Sequence, residues 1–324
     1  MSRKVKRAGR WIATIGATAI LVYLVWRANP SALLTQLAAA EWWPLLLALL
    51  LNFLQVWLKA QRLRTLLQPV QDIPLGRLYR YTMIGYAGNN VLPMRGGDVM
   101  RLALLRQRES VPVGAFVGAF SAERLLDGAS VVCVAAVLPL LAPLPGPARA
   151  GLAILVGITV LGYVALLLIA ARWGRAPEGA GRVRRFIADL ARGGRALRKP
   201  APLASCMGTS LGAIACEALI VVLVMRGLGL PLVAAAAPLV ILFVNLALVA
   251  PNAPGNLGAF EAGAALAVTL CGVSSTGAMA FALAYHAVHL VPLTLVGAIA
   301  YATMPGRGER SVSLVPTPAV ETDR

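Results

Sequence analysis

Long apolar runs separated by short polar or basic intervals repeat along nearly the whole chain. Runs of about 17–25 apolar residues suffice to cross a bilayer as helices. The pattern predicts spans at 11–26, 42–58, 113–138, 151–171, 203–225, 232–249 and 277–301, with a barely spanning apolar helix at 262–273. Two stretches break it. Around 82–105, Gly88-Asn89-Asn90 and Pro93-Met94-Arg95-Gly96-Gly97 interrupt the run, and Arg95, Arg101, Arg106 and Arg108 would give a simple crossing two basic flanks. A re-entrant hairpin entered from the cytoplasmic side fits better, because non-helical backbone at membrane depth must be buried in protein or line a watery cavity. Residues 250–261, APNAPGNLGAFE, form a second break of two prolines and two glycines ending in a carboxylate. The fold class expected is all-α: a polytopic integral membrane helical bundle of about six to eight spans with two broken or re-entrant elements. Corresponding breaks in the two halves suggest an inverted repeat.

Composition supports one membrane domain. Of 324 residues, 59% are hydrophobic and 13% charged, outside the range of soluble domains. The 30 Lys+Arg against 13 Asp+Glu give +17, which in a soluble protein would point to nucleic acid. Here the basic residues gather between apolar runs without interleaved aromatics, as topology and anionic headgroups require, so no nucleic-acid partner is expected. Five basic residues, Arg3, Lys4, Lys6, Arg7 and Arg10, precede the first run and make the amino terminus cytoplasmic. No convincing small-x-small cleavage site follows that run, so an uncleaved span is expected. The group Lys59, Arg62, Arg64, Arg77 and Arg80 marks a return to the cytoplasm after the second span. Residues 172–199 carry nine Lys+Arg against Glu178 and Asp189, a cytoplasmic loop whose 182–190 segment has the pattern of an amphipathic surface helix. The division expected is a basic cytoplasmic amino terminus at 1–10, a transmembrane domain at 11–302 and a disordered cytoplasmic tail at 303–324, in the cytoplasmic membrane with both termini inside. Cys133, Cys206, Cys216 and Cys271 lie in apolar segments without CxxC spacing, so neither a zinc site nor a disulfide framework is indicated.

The chemistry concentrates at the breaks. Charge at membrane depth costs on the order of 3 kcal/mol per group on insertion scales, so such residues face partners, water or a substrate path. Asn89, Asn90, Arg95, Asp98 and Arg101 cluster at the first break; Glu123, Arg124 and Asp127 follow inside an apolar run; Asn252 and Glu261 belong to the second break. The planar fork of Arg95 can bond two phosphate oxygens. Glycine backbone can approach an anion closely. On a helix Glu123 and Asp127 share a face and Arg124 reaches Asp127, an internal ion pair or a headgroup site. Glu217 and Glu261 stand as single carboxylates in apolar surroundings, where the neutral form is favoured, which makes either a candidate for proton exchange. His286 and His289, three apart, lack a third ligand nearby and read as structural or interfacial; no metal is expected.

Together, NNVLPMRGGDVMR with the downstream SAERLLD and the later APNAPGNLGAFE resemble the lysylphosphatidylglycerol synthase transmembrane family, a flippase-like membrane domain, over about residues 10–302. The family motif reads approximately N-x-x-L-P-x-R-x-G-E. Here Asp98 holds the acidic place, and its shorter arm keeps the charge while shifting the contact. The resemblance implies a domain that moves an amphiphilic lipid between leaflets, in the best-known members an aminoacylated phosphatidylglycerol. It implies no synthase: in bifunctional relatives aminoacyl transfer occurs in a large soluble domain after the spans, and only about 20 residues follow Tyr301. Any lipid-modifying enzyme is expected to be encoded separately.

The expected function is thus lipid translocation without bond chemistry or cofactor, on an anionic or aminoacylated phospholipid or a polyprenyl-phosphate lipid whose headgroup contacts Arg95, Asp98 and the region of Glu261. Two alternatives remain open from the residues. One is an integral-membrane transferase acting on a lipid phosphate, weakened because residues 27–42 offer only Glu41 and residues 142–149 no acid. The other is a non-transporting partner of a lipid-modifying enzyme. No GxxxxGK motif occurs, so direct ATP drive is not expected. Headgroup, energy source, direction and any homo-oligomer are not encoded in a readable way.

Overall fold

The computed structural model describes residues 22, 23, 25, 26, 28–92, 95–138, 146–172, 181–248 and 253–304. Most of the expected first span, Pro93, Met94, Asn252 and the tail beyond 304 lie outside the described residues. Among the described residues the regular elements are helices: α1 (Pro30–Ala38), α2 (Trp42–Leu67), α3 (Leu75–Val91), α4 (Gly96–Glu109), α5 (Val113–Ala135), α6 (Gly146–Arg172), α7 (Arg182–Gly194), α8 (Pro200–Gly227), α9 (Ala236–Ala247), α10 (Ala259–Thr269) and α11 (Ser275–Ala302), with short 3-10 turns at Arg195–Arg198 and Pro254–Asn256.

Three of these, α2, α8 and α11, are long and apolar enough to cross a membrane. At 26, 28 and 28 residues they measure about 39–42 Å, against a hydrocarbon core of about 30 Å. Their outward faces stay greasy, with Leu46, Leu50, Trp57, Leu211, Leu219, Leu295 and Ile299 exposed. Helix α5 has 23 residues but carries Glu123, Arg124 and Asp127. Two expected spans are revised. Helix α2 continues beyond 58 to Leu67, so Lys59 and Arg62 sit in the body of the helix and not in a loop after it, and Arg62 is only 1% exposed. The expected span at 232–249 is a 12-residue helix, α9, about 18 Å long and too short to cross.

Both breaks make helical hairpins. In the first, α3 ends as Leu92 leaves the helix with its N–H on the Gly88 carbonyl at 2.7 Å, and Arg95 turns the chain in a left-handed conformation (φ 54, ψ 41) before α4 starts. The two arms can lie this close only because glycine faces glycine: a Cβ on Gly88 would stand 2.7 Å from the Gly97 Cα. At the hairpin's base Glu109 accepts from Arg77 at 2.9 Å and from the Tyr81 hydroxyl at 2.6 Å. In the second, α9 and α10 pack antiparallel across a turn in which Gly255 (φ 66), Asn256 (φ 58) and Gly258 (φ 83) all take positive φ. The Glu261 carboxylate accepts from the Gly258 N–H at 2.7 Å, capping α10.

The order long helix, broken hairpin, long helix therefore occurs twice, as α2, α3–α4, α5 and again as α8, α9–α10, α11. Helix α2 packs along α8, α3 packs on α11 and α9 touches α5, so each hairpin meets the closing helix of the other half. Helix α7 falls on the expected amphipathic segment and packs on α5, with Ala188 and Ala191 buried and Val183 and Phe186 exposed.

Candidate functional site

Five helices turn a polar stripe inward, each at helical spacing. On α2 the stripe is Asn52, Gln55, Lys59 and Arg62; on α3, Thr82, Tyr86, Asn89 and Asn90; on α5, Glu123, Asp127 and Ser130; on α8, Ser210 and Glu217; on α11, Tyr285, His286 and His289. Most of them border a cavity of about 540 Å³ that residues of both hairpin tips also line. The tips touch: Gly255 lies beside the Asn90 carbonyl and Leu290. Asn90 Nδ2 donates to Thr294 Oγ1 at 2.8 Å and to the Leu290 carbonyl at 3.3 Å, tying the first tip to α11.

The tie falls at a weak point of α11. Pro292, inside that helix, has no N–H to give to the Val288 carbonyl four residues back. Asn52 Nδ2 takes over, donating to that carbonyl at 2.9 Å from a buried position on α2. Asn52→Leu is expected to leave the carbonyl unpaired and to lower stability by about 1–3 kcal/mol, measured as thermal unfolding of the detergent-solubilised protein; an unchanged midpoint would assign the bond no weight.

Charges in the cavity wall and just behind it form interlocked pairs. Arg101 donates to Glu123 at 2.8 Å, with side chains 7% and 2% exposed, and its guanidinium lies 5.5 and 5.6 Å from the rings of Phe116 and Phe120. Asp127 is shared by two guanidiniums, Arg62 at 2.7 Å and Arg124 at 3.3 Å. Arg62 also donates to Ser210 Oγ at 2.8 Å. Across the cavity Glu217 accepts from Gln55 and from the Tyr285 hydroxyl and lies 3.2 Å from His289 Nε2. Glu261 pairs with His286 Nδ1 at 2.8 Å, and Phe260 stacks on the His286 ring at 4.3 Å between centroids.

The residues singled out from the sequence separate into groups. Asn89, Asn90, Arg95, Asp98, Arg101, Arg124 and Asp127 line the cavity. Asn89 holds Asp98 through both its amide atoms, at 3.2 and 3.3 Å. The Arg95 side chain is exposed and makes no hydrogen bond or ion pair among the described residues, while its carbonyl accepts from the Asp98 N–H at 3.0 Å. Glu123 and Glu261 do not line it; they are buried behind the wall and spent on Arg101, Gly258 and His286. Neither Glu217 nor Glu261 is the single carboxylate that its apolar neighbours in sequence suggest, because each meets a histidine from α11. Lys59, Gln55, Tyr86, Ser210, Glu217, Asn245, Tyr285, His286 and His289 line the cavity without having been assigned to it from the sequence. The signal that finds them is the three-and-four spacing of polar residues within apolar helices.

A family model described as the lysylphosphatidylglycerol synthase TM region matches residues 11–297. No curated protein and no solved structure matches the chain.

Proposed function

The chain belongs to the lysylphosphatidylglycerol synthase transmembrane-region family, and from that membership we propose that it translocates an amphiphilic lipid between the leaflets of the cytoplasmic membrane. The observation that carries this reading is the meeting of two helix breaks over one cavity of about 540 Å³, lined by charged and polar side chains beside apolar ones, in an otherwise apolar helical protein. That volume lies within the range of small-molecule sites, and buried charge at membrane depth calls for a polar passenger or partner. Apolar residues of the same lining, Leu92, Ile214, Leu248 and Leu290, give acyl chains a greasy border beside the headgroup. Binding and release suffice for this function. The charged side chains are engaged mostly with one another, which suits a path that desolvates a headgroup better than a constellation that breaks a bond. Both termini are assigned to the cytoplasm on the basic residues that flank the first and last runs.

The test is leaflet-resolved lipid exchange in reconstituted vesicles, with a panel of anionic, aminoacylated and polyprenyl-phosphate lipids, for the unaltered protein and for Asn245→Trp. Asn245 lines the cavity, and among the described residues its side chain bonds only its own helix, at the Ile241 carbonyl. A tryptophan there is expected to fill the path, removing most of the exchange while leaving thermal stability close to that of the unaltered protein. Equal exchange by both proteins would move the path away from the cavity.

A further inference from the structure

Helix α11 brings two histidines to carboxylates on other helices, and the two pairs differ in exposure. His286 and Glu261 are sealed, with side chains 8% and 2% exposed, whereas His289 and Glu217 border the cavity at 17% and 18%. Hydrogen bonding fixes where the protons of the open pair sit. His289 Nδ1 lies 2.9 Å from the Tyr285 carbonyl, which can only accept, so Nδ1 carries a hydrogen. Its Nε2 lies 3.2 and 3.4 Å from the two oxygens of Glu217. One proton must stand between them: an imidazolium N–H donates to a carboxylate, or a carboxylic O–H donates to a neutral ring. Without that proton, a nitrogen lone pair would face carboxylate oxygens.

The surroundings suit both states of the pair. Glu217 also accepts from the Tyr285 hydroxyl and from Gln55. The Gln55 amide is oriented by the Lys59 ammonium, which donates to its oxygen at 3.2 Å, and by its own donation to the Ala213 carbonyl at 3.1 Å. Lys59, from α2, is the cation that faces the pair, so the charge left on Glu217 when the proton leaves stands opposite an ammonium and not alone. Beyond Lys59 lie Tyr86 of α3 and Asp127 of α5, the latter held by Arg62 and Arg124. Glu261 of α10 is held by His286 and the Gly258 N–H, and Cys216 adjoins Glu217 on α8. Helices α1 and α9, which also pack on α11 and α8, carry no charged or titratable side chain.

The pair also sits where a proton would be felt by the hairpin. One residue on from His289, the Leu290 carbonyl, with Thr294 a turn later, holds Asn90 of the first tip. Loss of the proton turns the His289–Glu217 contact from attraction to repulsion and leaves the Tyr285 hydroxyl as the bond from α11 to Glu217. We infer that the Glu217–His289 pair is a proton-binding site open to the cavity, and that the proton it takes up and releases is a second ligand whose movement is coupled to that of the lipid. On release the proton passes to the solvent of the cavity and its bonding electron pair stays on Nε2 or on the carboxyl oxygen. This deepens the transport reading and rests on it for the coupling; the binding of the proton stands on the pair alone.

The proton site is tested on the purified full chain without a histidine tag, in neutral detergent, with isotope label in the histidine ring nitrogens. The sequence holds two histidines, so the magnetic resonance spectrum carries two sets of ring signals, assigned by His289→Gln. The His289 signals are expected to change reversibly between about pH 4 and 9, and the midpoint of the change to be displaced by about one unit or more in Glu217→Gln, the worth of a neighbouring opposite charge. Signals that stay constant across that range, or that titrate alike in Glu217→Gln, would overturn the site. Coupling is tested in sealed vesicles at zero membrane potential with headgroup-labelled phosphatidylglycerol. A difference of about one pH unit is expected to bias its steady distribution between leaflets by up to about tenfold, the worth of one proton per lipid moved, and the bias to vanish in Glu217→Gln and His289→Gln. Lipid that exchanges quickly to the same distribution with and without the gradient would overturn the coupling and leave the transport reading. A titrating pair in a folded protein that exchanges no lipid would leave the proton site and remove the transport reading.

Discussion

Glu123→Ala is expected to lower the unfolding free energy of the detergent-solubilised protein by about 3–5 kcal/mol, the usual cost of removing one partner from a buried ion pair. Its carboxylate is the only acid within salt-bridge distance of Arg101 among the described residues, and both side chains are almost fully enclosed. With the carboxylate gone, the guanidinium keeps its charge against the faces of Phe116 and Phe120 with no other acid at salt-bridge distance among the described residues. One of its nitrogens, Nε, lacks a partner among the described residues even in the intact protein. The loss should therefore come from an unpaired charge and not from missing packing. Replacing both partners at once, Arg101→Met with Glu123→Leu, removes the charge together with its counterion and is expected to restore most of the stability. Equal destabilisation by the single and double substitutions would assign the cost to packing.

The largest effect on activity is expected from Arg95→Ala. Arg95 sits at the first hairpin tip with a positive φ, a conformation that costs an L residue about 1–2 kcal/mol. Alanine keeps the Cβ and so keeps that strain, which means the substitution removes the guanidinium and little else. Lipid exchange is expected to fall by about ten- to hundredfold, the worth of a lost hydrogen bond to a charged group in a rate-limiting passage. The unfolding midpoint should hardly move, because the side chain is exposed and unpaired among the described residues. Arg95→Lys, with a charge but no planar fork, should fall between. Full exchange by Arg95→Ala would take the tip out of the path.

Helix class, the two breaks and the family resemblance were legible in the sequence because each is local. Proline, glycine and paired asparagines interrupt an apolar run whatever the tertiary structure does. The Arg124–Asp127 contact was legible for the same reason, since i,i+3 neighbours on one helix must be close. The cross-helix choices were not. Nothing in the order of residues says that Asp127 takes Arg62 as its nearer partner, that Glu123 turns to Arg101, or that Glu217 and Glu261 each find a histidine on α11. The inward turn of Lys59 and Arg62 was hidden for a specific physical cause. A basic residue at the end of an apolar run ordinarily marks the interface, but here Asn52, Gln55, Lys59 and Arg62 follow one face of a helix that continues to Leu67. Their spacing of three, four and three carried the information, whereas their charge pointed the other way. The length of α9 was hidden because its apolar run extends past the helix at both ends.

The most direct measurement is the rate at which a headgroup-labelled phospholipid becomes accessible from the opposite leaflet of sealed vesicles, compared between vesicles holding the unaltered protein, Asn245→Trp, Arg95→Ala or no protein. The account predicts fast exchange with the unaltered protein and rates near the protein-free background with the two variants at matched protein content. Background exchange with the folded, unaltered protein for every lipid of the panel would contradict it.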